Sequence, residues 1–235
     1  MFLSRLLLNP YSWHVRRDIS NCHEMHKTIL SGFPQDGETE NEGIRAHFQV
    51  LYRLKSSRRK NAFTLLVQSA IKPNWSSLPE EYLLYEHNRD NPEIKNISNV
   101  LKIIKKSMVV KFRLMANPTK KIEGHRIPLY GFNNRLEWLE RKGIQHGFDL
   151  LKVEISGNNN LKSNVITHTS IKITGWKKKK KDGKKQSKKH QLTFEGVIFD
   201  GFLKVRNKNK FIECLKNGIG SGKSYGFGLL SIAPS

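Results

Sequence analysis

Apolar positions fall in short runs whose period changes along the chain. Phe2 to Leu8 is apolar apart from Ser4 and Arg5 and stops at Asn9-Pro10, the pattern of a buried strand followed by a turn. Between Ile19 and Leu30 the period lengthens. Cys22, Met25, Ile29 and Leu30 share one face of a predicted helix, with Asp18 or Ser20 as its cap and Gly32 and Pro34 closing it. Residues 35–46 read as a loop. Strands are predicted at Phe48 to Leu54 and Ala62 to Ser69, joined by a basic turn from Lys55 to Asn61. Strand, helix, strand, strand is three quarters of a ferredoxin-like unit.

Pro79, Pro92 and the polar run from Glu86 to Asn99 then interrupt the pattern, and residues 76–100 hold the expected boundary between a domain at 1–90 and one at 91–235. A second cycle opens with a strand from Ser107 to Ala116, stopped by Asn117-Pro118. A helix over 133–145 carries Leu136, Trp138, Leu139 and Ile144, with Gly143 and Gly147 loosening its end. A strand from Asp149 to Ile155 follows, then a long hairpin with arms Val165 to Trp176 and Gln191 to Phe199. A helix near Lys208 to Lys216, a glycine-rich loop and a strand from Phe227 to Ile232 end the order. The expected fold is α+β: two tandem ferredoxin-like (βαββαβ) domains with a basic hairpin.

Charge narrows the function. Lys and Arg number 42 against 20 Asp and Glu, a net of +22, which implies a polyanionic partner or an anionic membrane surface. No apolar run approaches the ~20 residues of a spanning helix. Met1 to Leu8 is too short for a signal peptide. Cys22 and Cys214 show no Cys-x-x-Cys spacing, so neither a disulfide framework nor a zinc site is indicated. The expectation is a cytoplasmic protein facing nucleic acid rather than a membrane.

The hairpin tip reads KKKKKDGKKQSKK, with nine lysines and one aspartate. These are Lys177, Lys178, Lys179, Lys180, Lys181, Lys184, Lys185, Lys188 and Lys189, and Asp182-Gly183 is a turn signal between them. Such a run is ordinarily a solvated segment. At the tip of a hairpin, however, its charges are placed to grip phosphates without reading bases, which fits an RNA stem.

The last loop places Gly218, Gly220, Gly222, Gly226 and Gly228 within eleven residues, with Lys223 and Ser224 among them. It ends like a nucleotide P-loop. That motif needs a glycine where Asn217 stands, and a strand before and a helix after; here the order is reversed. The loop either holds another phosphate or makes a tight turn. On the first helix, His23 and His26 lie three residues apart. They are a metal pair lacking further ligands, two surface histidines, or an acid–base pair of the kind a ribonuclease working without metal requires.

Several stretches together resemble one family. They are the opening strand with Asn9-Pro10, Arg17-Asp18 before Glu24-Met25-His26-Lys27-Thr28, Leu66-Val67-Gln68-Ser69 followed by Pro73-Asn74-Trp75, Phe112-Arg113-Leu114-Met115-Ala116-Asn117-Pro118, Glu137-Trp138-Leu139, and Gly218 to Ser231. In that order they resemble the CasE family, the CRISPR-associated endoribonucleases of type I-E (Cascade) systems, nearly end to end. The resemblance implies two ferredoxin-like domains and a metal-independent enzyme with no cofactor. That enzyme binds the stem-loop of CRISPR repeat RNA, cuts at the 3′ base of the stem and leaves 5′-OH and 2′,3′-cyclic phosphate ends. It then stays on the guide RNA with other Cascade subunits. The catalytic histidine falls on His26, followed by the basic Lys27. The family's tyrosine three residues earlier is His23 here, which either positions the 2′-OH or serves as a second acid–base group. Arg113, the tip lysines, Gly218, Gly220, Gly222, Lys223 and Ser224 are the expected RNA contacts. The alternative is a non-catalytic RNA-binding subunit of the same fold.

Overall fold

The computed structural model describes residues 1–35, 43–57, 62–85, 90–155, 158–168, 171–181 and 184–235, with the side chains of 57, 153–163 and 178–189 outside that description. The fold is α+β with several antiparallel sheets. It divides into two compact units, neither of them one stretch of sequence. One holds Met1–Ile97, Lys172–Phe194 and Ser224–Gly226; the other holds Ser98–Ile171, Glu195–Lys223 and Phe227–Ser235.

In the first unit, β1 (Phe2–Leu8), β2 (Leu51–Ser57), β3 (Ala62–Ser69) and β4 (Glu93–Asn96) form an antiparallel sheet in the order β2-β3-β1-β4. The apolar run of β1 is explained by its central place: it pairs with β3 along its whole length and with β4 over Phe2 to Arg5. Leu6 and Leu8 of β1 join Val15, Met25, Ile29, Tyr52, Val67 and Tyr82 in one core. The single helix expected over Ile19 to Leu30 is two, α1 (Trp13–Ser20) and α2 (Cys22–Leu30). Asn21 breaks them with an extended backbone, and its side chain caps α2 by accepting from the His23 amide. Asp18, one of the expected caps, is buried instead, taking the Tyr82 hydroxyl at 2.8 Å and Arg17 Nη2 at 2.7 Å. The expected loop at 35–46 contains part of a short helix, α3 (Ile44–His47). The polar interval contains a 3-10 turn at Glu80–Tyr82, the edge strand β4 and the start of α4 (Ser98–Ile103). Hairpin arms β12 (Ile171–Lys181) and β13 (Lys184–Val205) pair; the expected turn at Asp182-Gly183 lies outside the described residues.

The second unit is built on β5 (Val109–Ala116). Its alternate residues Val110, Phe112, Leu114 and Ala116 are buried, and it lies between β13 and β14 (Leu230–Pro234). On the far edge of β13 run β8 (Phe148–Leu150) and β11 (Val165–Thr167). A small hairpin, β6 (Thr119–Ile122) with β7 (His125–Pro128), follows Asn117-Pro118 and is absent from the sequence expectation because it buries almost nothing. A second two-stranded pair joins β9 (Lys152–Ile155) to β10 (Asn158–Ser163). Helices α5 (Phe132–His146) and α6 (Lys208–Asn217) cover the sheet with Trp138, Leu139, Phe211, Cys214 and Leu215. Gly143 tightens rather than loosens α5, since a Cβ there would come within 2.6 Å of the Phe148 carbonyl oxygen. Among the described residues no helix is long and apolar enough to cross a membrane.

Candidate active site

Met25 and Ile29 turn one side of α2 into the first unit's core; His26 stands half-buried on the flank of that side, with His23 and exposed Lys27 further round. The backbone itself is anchored at the helix start. Asn21 Oδ1 accepts from the amides of both His23, at 3.1 Å, and Trp176, at 3.0 Å, so one oxygen ties α2 to β12. Gly175 permits that approach: a Cβ there would meet Asn21 Oδ1 at 2.6 Å and Cys22 Sγ at 2.7 Å.

Burial first, then the neighbouring His23, Arg45 and Lys177, hold the His26 imidazole down at about 4. It is therefore neutral near pH 7 and able to accept a proton. Its ring meets that of Tyr225 edge-on, with centroids 5.9 Å apart and planes at 66°. Tyr225 in turn packs on Phe194, centroid to centroid at 5.1 Å. The loop carrying Tyr225 is held by Tyr52, whose hydroxyl donates to the Ser224 carbonyl at 3.1 Å. Gly226, at φ +89°, sits where a Cβ would press on the Tyr52 ring at 3.2 Å. Ser224, an expected RNA contact, thus lends its carbonyl to this support.

The His23 imidazole is lowered by burial and then by Lys27 and Lys177, with Glu24 opposing them. Its Nδ1 is buried, with no hydrogen-bond partner among the described residues. Lys27 is exposed, and its ammonium donates to Glu24 Oε1 at 2.8 Å. Lys177 belongs to the expected RNA contacts and lies close enough to lower both imidazoles. Arg45, which sequence reasoning missed, adds a half-buried guanidinium lowered by desolvation. Its only signal is a basic residue on the short helix that follows Gly43, a glycine at φ +71°. Lys178, Lys179, Lys180, Lys181, Lys184, Lys185, Lys188 and Lys189 have side chains outside the described residues. Among the described residues no three His, Cys, Asp or Glu converge as a metal site.

The remaining expected contacts lie in the second unit. Gly218, Gly220 and Gly222 all take φ between +74° and +82°, conformations that favour glycine. The Gly228 carbonyl accepts from Ile219, and the Gly228 amide donates to the Met115 carbonyl, which lays the loop along β5. Gly218, Gly220, Ser221 and Lys223 line one cleft. Arg113 is already engaged: its Nε and Nη2 donate to Asp200 Oδ1 and Oδ2 at 2.6 and 2.7 Å, and His168 Nε2 lies 2.7 Å from Asp200 Oδ2.

Comparison with known proteins adds a second line of evidence. The sequence model of a family described as CRISPR associated protein matches residues 1–234. The CRISPR-associated endoribonuclease Cse3 of Thermus thermophilus is 32% identical over 237 residues, covering 100% of both chains. A structure of the CRISPR endoribonuclease Cse3 bound to 19-nucleotide RNA is similar over 100% of both chains, with 31% identity and a TM-score of 0.76. Thermus thermophilus Cse3 bound to an RNA representing a pre-cleavage complex gives 29% identity and a TM-score of 0.74, over 99% of this chain and 98% of that one. Cas6e from Escherichia coli K-12 shares the fold over the full length of both chains, at 22% identity and a TM-score of 0.63.

Proposed function

The chain belongs to the CRISPR-associated protein family, and from that premise we propose that it is a metal-independent endoribonuclease that cuts precursor CRISPR RNA at the 3′ base of the repeat stem. One observation carries the chemistry: His26 is neutral, half-buried and fixed against Tyr225, on the helix whose first turn is bonded to the root of the basic hairpin. A neutral imidazole takes the 2′-OH proton, and the 2′-oxygen attacks the adjacent phosphorus. The bond to the 5′-oxygen breaks as that oxygen gains a proton, leaving a 2′,3′-cyclic phosphate and a 5′-OH. His23, drawn toward its protonated form by an arriving phosphodiester, supplies the second acid–base group. Lys27, Lys177 and Arg45 supply positive charge for the pentavalent phosphorus.

Binding rests on charge. The tip lysines of the β12–β13 hairpin hold the stem backbone, Lys223 and the glycine loop take an RNA phosphate, and the protein remains on the processed RNA with other Cascade subunits. The sheet order β2-β3-β1-β4 supports reading the first unit as ferredoxin-like, and we take the second as its duplicate. Incubating a repeat hairpin with the protein in EDTA tests this function. The expected products are two fragments, one ending in a 2′,3′-cyclic phosphate. Cutting that appears only when magnesium is restored overturns the mechanism, and stable binding without cutting in either buffer leaves a holding subunit in its place.

A further inference from the structure

A cleft of about 420 Å³ opens on the second unit between the β6–β7 hairpin, the last turns of α5 and the glycine loop. Lys121, Arg126, Arg141, Lys142 and Lys223 line it, and among the described residues its lining includes no carboxylate. These cations crowd one another. Burial, then Arg141 and Arg126, lower the Lys142 ammonium. Burial, then Lys142 and Lys223, lower the His146 imidazole, with Glu213 opposing them. On α5, Arg141 and Lys142 stand toward the negative end of the helix, which favours positive charge. Lys121 and Arg126 come from a different element, where no such reason applies, and they face the same cleft. Like charges gathered from separate elements around one cleft favour an anionic ligand.

The volume sits within the roughly 300–1,000 Å³ of small-ligand pockets, enough for one or two nucleotides and too small for a duplex. Uncharged groups stand beside the cations. Gln145 accepts from Lys142 Nζ at 2.9 Å, which leaves its amide nitrogen to donate, and Thr119 and Ser221 add hydroxyls. Unpaired RNA offers phosphates to the first set and base edges to the second. We propose that this cleft binds one or two unpaired nucleotides flanking the repeat stem, an inference that rests on the repeat-RNA function above.

The test compares three RNAs: the hairpin alone, and the hairpin with a single-stranded extension on its 5′ or its 3′ side. One extension is expected to tighten binding by wild-type protein about tenfold. Arg141→Gln with Lys142→Gln should lose that increment while hairpin-only affinity and the saturated cleavage rate stay within twofold. Lys121→Gln with Arg126→Gln, on a separate element, should do the same. Each neutralised phosphate contact should lower the salt slope for the extended RNA by about 0.7. Extensions that add nothing on either side, or variants that weaken hairpin-only binding as much, overturn the proposal. Wild-type protein that fails to bind the hairpin at all counts against the repeat-RNA function instead.

Discussion

The edge of the Tyr225 ring rests on the His26 imidazole, with centroids 5.9 Å apart. The two residues are almost two hundred positions apart in sequence, and Tyr225 closes off water on one side of the proposed base. Removing the ring should therefore change both orientation and proton affinity. Tyr225→Ala is expected to slow single-turnover cleavage about 10- to 100-fold, since small misplacements of a catalytic group have effects of that size. RNA affinity should change little, and the acid limb of the pH profile should move up toward the ordinary histidine range. Tyr225→Phe keeps the ring and should stay within threefold. Equal losses for Phe and Ala would show that the hydroxyl, and not the packing, matters.

The pH dependence follows from the direction of the His26 shift. A base acts in its deprotonated form, so activity is lost as pH falls through the group's own pKa and gains nothing above it. With His26 held at about 4 and His23 below its ordinary value, the second-order cleavage constant, which reports the free protein, should show an acid limb near pH 4 and decline as pH rises through the His23 value. An acid limb centred near the ordinary histidine value would assign the base to another group.

His26→Ala should reduce cleavage by about 10²–10⁴, the usual contribution of a general base, while hairpin affinity measured by filter binding stays near wild type. His23→Tyr supplies the tyrosine that the family resemblance implies at that position and should retain more activity than His23→Ala. Wild-type cleavage by both variants would show that the residue has no part in the reaction.

Asp18 holds the first unit together from inside. Its carboxylate is buried between the Tyr82 hydroxyl and Arg17. Asp18→Ala takes the acceptor from the buried Tyr82 hydroxyl, while Arg17 keeps Thr28 and the Trp13 ring, and should lower stability by about 1–3 kcal/mol, read as a fall in the urea midpoint. Cleavage measured well below the new melting temperature should persist. Activity lost from a still-folded variant would mean that Asp18 belongs to the site.

The Asp18 role also shows where the sequence was legible and where it was not. Strands β1, β3 and β5 and helices α5 and α6 announce themselves because each buries a regular face. Helix α2 was visible for the same reason, through Met25 and Ile29, and so were its histidines. Its start at Asn21 was legible as a cap residue but was passed over; only the second bond to that oxygen, from the Trp176 amide far along the chain, leaves no local signal. Arg45 was hidden for a similar reason. Its relevance lies in an electrostatic effect on His26 that no local spacing encodes. The β6–β7 hairpin buries too little apolar surface to leave a pattern. Arg113 has an ordinary strand-basic signature, and its bidentate grip on Asp200 appears only once β5 and β13 are in register.

Gly175 sets apart two regimes of sequence change within one hairpin. At that position any side chain would collide with Asn21 and Cys22, so replacement would prise β12 from the start of α2. The lysines from 177 onward carry no such packing duty in the proposed function, only charge. The far end of the hairpin can therefore change residue by residue so long as its charge is kept, while the root tolerates no side chain at all.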